Sequence, residues 1–310
     1  MSAASAPATA QGHRAVPLCG IAGRGPLTFP VFLCTASATL VLYRDASAKI
    51  DDDQVDRLFQ EGVREFWVRD EDRAAYLHRV ETSLSEVLSD RRATVARRAD
   101  VLHGVATTIA DEVLHGPVDR AGIVRAQRML VAASSLVLRE QGAFAAVRAM
   151  LGASESLARH SVSISFLSMG LARHALSADP ATVVQAGLAG MFHDIGSIGH
   201  EDAGHDPDHA QRGFAMLKQL GMPAEIAVAA QSHHERWDGS GYPQALRSAA
   251  IPPLARVVGL CDAFDEVYSA QQERVRVFDA LAVLAEAWRG CFEGSLASQF
   301  VKLFRESPAR

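Results

Sequence analysis

Seven residues in the C-terminal half carry side chains that bind divalent metals: His160, the adjacent His193 and Asp194, His209, the adjacent His233 and His234, and Asp262. A carboxylate can bridge two cations while neutral imidazoles fill the remaining positions of each, and neighbours on one helix point about 100° apart. The adjacent pairs can therefore serve a two-metal cluster rather than one ion. Two metals about 3.5 to 4 Å apart lower the pKa of a water between them and clamp a phosphodiester for in-line attack, so no nucleophilic serine or cysteine is needed. Of the other histidines, His13, His78, His103, His115, His174 and His205 read as surface or hydrogen-bonded residues, with His200 undecided.

Helices must hold these residues, and beyond Arg91 the pattern contains no convincing strand. Long Ala/Leu/Val-rich helices are expected at about Val95 to Leu114, Asp119 to Arg139 after Pro117, and Ser154 to Leu176, which carries His160. His193 and Asp194 end the apolar helix Val183 to Phe192. His209 opens a helix ending near Leu220, and His233 and His234 precede a loop containing Gly239 and Gly241. Asp262 follows the apolar run Ala255 to Cys261, and Asp265 reads as support for the helix that carries it. Glu235 and Asp238 read equally as caps or partners of Arg236 and as functional groups. The cluster Arg91, Arg92, Arg97 and Arg98 reads as a solvated helix face.

Residues 25–90 read as a small α/β regulatory module. Strands are expected at about Leu27 to Leu33, Thr39 to Tyr43 and Val63 to Val68. Asp51 with Gln54 makes a capping-box start to a helix that has Val55, Leu58 and Phe59 on one face and stops at Gly62. Asp70 opens a second helix, with Tyr76, Leu77, Val80, Leu84 and Val87 on one face. Residues 1–24 are expected to be a disordered tail, 91–140 a helical connector that transmits a signal or forms a dimer interface, and 141–310 the metal-binding domain. The expected fold class is mainly α: an all-helical bundle behind a small α/β module.

Composition excludes several classes. With 48% hydrophobic and 22% charged residues over 310 positions, the chain can bury a core, which rules out disorder. A formal charge of −5 leaves no electrostatic footprint for duplex nucleic acid. Cys19, Cys34, Cys261 and Cys291 contain no Cys-x-x-Cys pair and read as free thiols of a reducing, cytoplasmic compartment. The uncharged stretch Gly25 to Tyr43 fails as a membrane span because Pro26 and Pro30 interrupt it and Thr28, Thr35, Ser37 and Thr39 dilute it. No membrane association and no secretory signal are expected.

The order His160, then "FHDIGSIGH" from Phe192 to His200, then His209, then "HHERWDGSGYP" from His233 to Pro243, then "RVVGLCDAFD" from Arg256 to Asp265, resembles the HD-GYP family over about residues 141–304. That family is a bacterial branch of the HD superfamily of metal-dependent phosphohydrolases. It is all-helical, and its characterised members hydrolyse the second messenger cyclic di-GMP. Carried over position by position, the resemblance makes His160, His193, Asp194, His209, His233, His234 and Asp262 the metal ligands, with Asp194 as bridge. Two divalent ions, iron or manganese, are implied. Tyr242 would approach a substrate phosphate, with Gly239 and Gly241 allowing the loop to turn, and Arg274 would remain as a basic contact.

The chain departs from the family pattern at three places. Ser197 stands where the family has a phosphate-touching lysine, Gln271 replaces a second basic residue, and Ser156 replaces a glutamate that in some members holds a third metal. Glu155 is about 140° round the helix from His160 and is poorly placed to substitute. The expectation is two metals with a weakened phosphate grip. The resemblance implies a cyclic di-GMP phosphodiesterase, catalytic through Asp194 and Tyr242 and a metal-bridging hydroxide, producing pGpG and GMP. Its expected partners are a GGDEF-type or other signalling protein and a second copy in a homodimer. The alternatives are a catalytically weak or inactive cyclic-dinucleotide receptor, which has less need of all seven ligands, and a phosphohydrolase for another nucleotide.

Overall fold

The structure, a computed structural model, describes residues 12–18, 21, 25–63, 65–90, 93–115, 118–139, 142–149, 156–176, 178–200, 206–270 and 277–305. The chain divides into two compact units, Met1–Thr108 and Ile109–Arg310.

The first unit is built on an antiparallel sheet in the order β1-β4-β2-β3, with β1 at His13–Pro17, β2 at Val31–Cys34, β3 at Leu40–Arg44 and β4 at Glu65–Arg69. β1 lies inside the segment expected to be a structureless tail. Its five residues are too few to stand out among Ala/Pro/Gly-rich neighbours, and pairing with β4 is what satisfies its backbone. β2 starts at Val31 rather than Leu27, because Pro26 and Pro30 cannot donate to a ladder. Leu27 and Phe29 are buried all the same. Helix α1 (Asp52–Gln60) has the expected capping box: the Gln54 N–H donates to Asp51 and the Asp51 N–H to Gln54. Val55 and Leu58 are buried, but Phe59, about 100° on from Leu58, is 54% exposed. A short 3-10 turn at Asp70–Asp72 leads into α2 (Arg73–Ser89), which buries Tyr76, Leu77, Val80 and Leu84. The boundary between the units falls within α3 (Val95–His115). Arg97 pairs with Asp100 on α3, whereas Arg98 is buried rather than solvated; Arg91 and Arg92 lie outside the described residues.

Among the described residues, the second unit has helices and no strand. It comprises α4 (Arg120–Arg139), α5 (Ala143–Ala149), α6 (Leu157–Ala175), α7 (Pro180–Phe192), α8 (His209–Gln219), α9 (Ala224–Ser232), α10 (Pro253–Ala270), α11 (Val277–Ala287) and α12 (Gly294–Leu303). α4 is long and apolar enough to cross a bilayer, a test that the core helix of a soluble protein also passes, and 44% of that stretch is buried. It packs on α7, and its buried stripe includes Ile123, Ala126, Leu130, Ala133 and Val137. α6 lies along α7, α8 along α9, and α10 packs on α6, α7 and α9. α7 begins three residues before its apolar run, since Pro180 suits the first turn and Asp179 accepts the N–H groups of Ala181 and Thr182. Ser156 caps α6 by accepting the Arg159 N–H, so the position at which the resemblance leads one to look for a third-metal carboxylate is here a helix start.

Candidate metal centre

Every one of the seven ligand candidates sits at or near a helix end or on a helix face that converges on one point. His160 is on the first turn of α6, and Asp262 is in the middle of α10. His193 and Asp194 follow α7, His209 is the first residue of α8, and His233 and His234 follow α9. Donor atoms of Asp194, His209, His233 and His234 lie within 4.8 Å of one another, as do those of His160, His193 and Asp262.

The two groups meet at Asp194. Its Oδ1 is 3.2 Å from His209 Nε2 and 3.4 Å from His233 Nε2, while Oδ2 is 3.4 Å from His193 Nε2 and 3.9 Å from His160 Nε2. Asp262 Oδ1 completes the second group at 3.2 Å from His160 and 3.6 Å from His193. One carboxylate thus turns its two oxygens toward two sets of imidazoles.

Neighbouring main chain fixes which ring nitrogen faces inward. The Nδ1–H groups of His193, His209 and His233 are oriented toward the carbonyls of Gly190 (2.7 Å), Asp206 (2.5 Å) and Ala230 (2.8 Å). His160 Nδ1 faces Asp265 Oδ2 at 2.8 Å. The Nε2 atoms consequently point at one another: His160 to His193 at 3.1 Å, His209 to His233 at 3.4 Å and His234 to His209 at 3.2 Å. Neutral imidazoles so arranged would set lone pair against lone pair unless a cation or proton lies among them. This donor set of five imidazoles and two carboxylates fits divalent first-row metals, with outer hydrogen bonds that orient the rings of His160, His193, His209 and His233.

Electrostatics give the same result. Burial alone would lower His193, but Asp194 and Asp262 outweigh it and raise the imidazole to about 10. His160, beside Asp262 and Asp265, and His209, beside Asp194, are also raised against the pull of burial. Burial would raise Asp194 and Asp262, yet the surrounding imidazoles hold both carboxyls well below their usual range. His233 is lowered by burial, and His234 is pushed down to about 2 by burial and by His233. Metal-free, the centre therefore favours protons on His160, His193 and His209 and disfavours them on His233 and His234. Since metals bind only the neutral ring, uptake must expel the former, and affinity should rise as pH increases from neutrality toward 10. Calorimetric titration of metal-free protein in buffers of different ionisation enthalpy should show proton release; pH-independent affinity with no release would contradict this protonation pattern.

Several of the other expected positions lie close to the cluster. The Tyr242 ring stacks on His234, centroids 4.7 Å apart and 22° between planes. Gly239 has φ +81°, and a Cβ on Gly241 would come within 2.3 Å of the His234 carbonyl oxygen, so the loop and the ligand backbone touch only because no side chain intervenes. Ser197 ends a 3-10 turn and donates its N–H to the Asp194 carbonyl at 2.9 Å. Arg274, Gln271, Glu155 and His205 lie outside the described residues. His13, His78, His103, His115, His174 and His200 do not join the cluster.

Two expectations change. Asp265 does not serve only the helix that carries Asp262; it holds the ring of His160 on another helix. Asp238 accepts from the N–H and hydroxyl of Ser240 and shapes the loop instead of pairing with Arg236, whose guanidinium donates to the His233 carbonyl. Sequence reading also passed over Arg212, which donates to the Gly196 carbonyl at 2.9 Å and pairs with Asp206 at 2.5 Å. Its place three residues after His209, on the same face of α8, was the available signal.

Residues 154–290 match the model of the HD domain family, a span that includes all seven candidates. The chain is 34% identical over 185 residues to the cyclic di-GMP phosphodiesterase PA4108 of Pseudomonas aeruginosa, covering 54% of this chain and 44% of that protein. It is 33% identical over 129 residues to a cyclic di-GMP phosphodiesterase of Thermotoga maritima, covering 36% of this chain and 34% of that one. The chain thus spans less than half the length of these curated relatives. Among solved structures, Bd1817, an HDG"Y"P protein from Bdellovibrio bacteriovorus, shares the fold with a TM-score of 0.74 at 18% identity, over 94% of this chain and 99% of that one. Residues 154–290, with the helices that carry the seven candidates, are thus similar to the HD domain family.

Proposed function

We propose that this chain is a cytoplasmic metal-dependent phosphodiesterase that opens cyclic di-GMP to linear pGpG and onward to GMP. The observation that carries the reading is Asp194, whose two oxygens face separate imidazole groups. His160, His193 and Asp262 would hold one ion, His209, His233 and His234 the other, and Asp194 both. Two divalent cations held there, iron or manganese in this reading, would supply an activated water and neutralise phosphate charge. The relatives named as cyclic di-GMP phosphodiesterases support the choice of substrate. A GGDEF-type signalling partner and a homodimer belong to the same reading. The first test is metal-reconstituted protein incubated with cyclic di-GMP and its products separated by chromatography. Linear dinucleotide is expected; binding without product under iron, manganese and magnesium alike would make the chain a receptor.

The chain's own groups have defined tasks in this reading. Burial pushes the Tyr242 phenol up, Arg236 pulls it down, and Asp194 and Asp262 add to the rise. Tyr242 therefore stays protonated and can donate to a phosphate oxygen. Tyr242→Phe should lower kcat/KM about ten-fold with an unchanged melting temperature. A fall of about 2 to 4 °C with unchanged activity would make the hydroxyl part of the core.

Ser197 limits the grip on phosphate. A lysine there would bring a cation from the same turn as Asp194, whereas the serine hydroxyl is shorter and uncharged. Ser197→Lys should raise kcat/KM about ten- to hundred-fold and make it more salt-sensitive. Native activity that falls on this substitution would show that another group holds the phosphate.

A further inference from the structure

We propose that Glu235 is a positioning residue whose carboxylate sets the Tyr242 loop against His234. Glu235 is 4% exposed, and both of its oxygens are taken by main chain: Oε1 accepts the Gln244 N–H at 2.7 Å and Oε2 the Leu246 N–H at 2.8 Å. These amides lie two and four residues beyond Tyr242. Upstream, the loop rests on the ligand segment, where Gly241 packs against the backbone of residues 234 to 236 and the Tyr242 N–H points to the His234 carbonyl at 3.3 Å. Tyr242 is thereby tied on both sides to consecutive residues of one short segment. The ring stack between Tyr242 and His234 follows from that tether.

The chemistry suits the task. A buried carboxylate accepting two amides forms charge-assisted bonds, stronger and more directional than a loop makes to water. Glu235 follows His234 directly in the chain, so movement of the metal-binding segment and of the loop are coupled through one residue. Its role is to hold Tyr242 where a bound phosphodiester can meet it.

This inference rests on the phosphodiesterase reading, and the test separates the two. Glu235→Gln in the full metal-loaded chain keeps the shape but turns an amide NH2 toward one of the two N–H groups, donor against donor. Hydrogen exchange of residues 240–248 should accelerate about ten-fold with metal content unchanged. With cyclic di-GMP, kcat/KM should fall about ten-fold, and adding Tyr242→Phe should cost less than about two-fold more. Glu235→Asp, which keeps the charge but reaches less far, should fall between the native protein and Glu235→Gln on both readouts. Unchanged exchange in the loop, lost metal, or rate effects of the two substitutions that simply multiply would overturn the proposal. If the native protein yields no product, the phosphodiesterase reading fails, and the exchange arm still decides whether Glu235 holds the loop.

Discussion

Asp194→Ala is expected to lower hydrolysis of cyclic di-GMP by about a thousand-fold or more and to empty both halves of the centre together. The expectation comes from the position of its oxygens, 3.2 to 3.4 Å from His209 and His233 on one side and 3.4 to 3.9 Å from His193 and His160 on the other. Without that carboxylate, only His209, His233 and His234 would remain to hold one ion, and only His160, His193 and Asp262 the other. Two cations bound there would also lose the negative charge that Asp194 would place between them, and each would repel the other more strongly. Elemental analysis of the variant should find less than one metal per chain, against two in the native protein. Three metals in the native protein, or full occupancy in the variant, would show that Asp194 is not the bridge.

Asp265→Asn is expected to act on one half alone. Asp265 is 3% exposed and accepts from the His160 Nδ1–H at 2.8 Å, which makes His160 a better donor through its Nε2. Asparagine can still accept that hydrogen bond but carries no charge, so ring orientation survives while basicity falls. Loss of such an outer partner typically costs about ten- to hundred-fold in metal affinity. The ion held by His160, His193 and Asp262 should therefore dissociate first on graded chelation, leaving one metal per chain, and activity should fall in step with that loss. Simultaneous release of both ions would mean that the two halves bind as a single unit.

Helical spacing and residue chemistry made much of the centre legible in advance. The seven metal-binding side chains, the helix ends that carry them, the capping box at Asp51 and the apolar face of α2 all depend on residues within a few positions of one another, where about 3.6 residues per turn decides who is a neighbour. Other features depend on chain segments far apart. β1 became a strand because β4 was there to pair with it. Asp265 turned to His160, 105 positions away, because α10 packs on α6. Glu235 found amides across a loop, and Arg212 found the Gly196 carbonyl, through contacts that no periodicity encodes. The sequence by itself thus determined which donors exist and which helices or helix ends carry them. Only the tertiary structure decided which ring nitrogen each histidine turns inward and which oxygen of Asp194 faces which group, because both follow from how helices distant in the chain pack around one point.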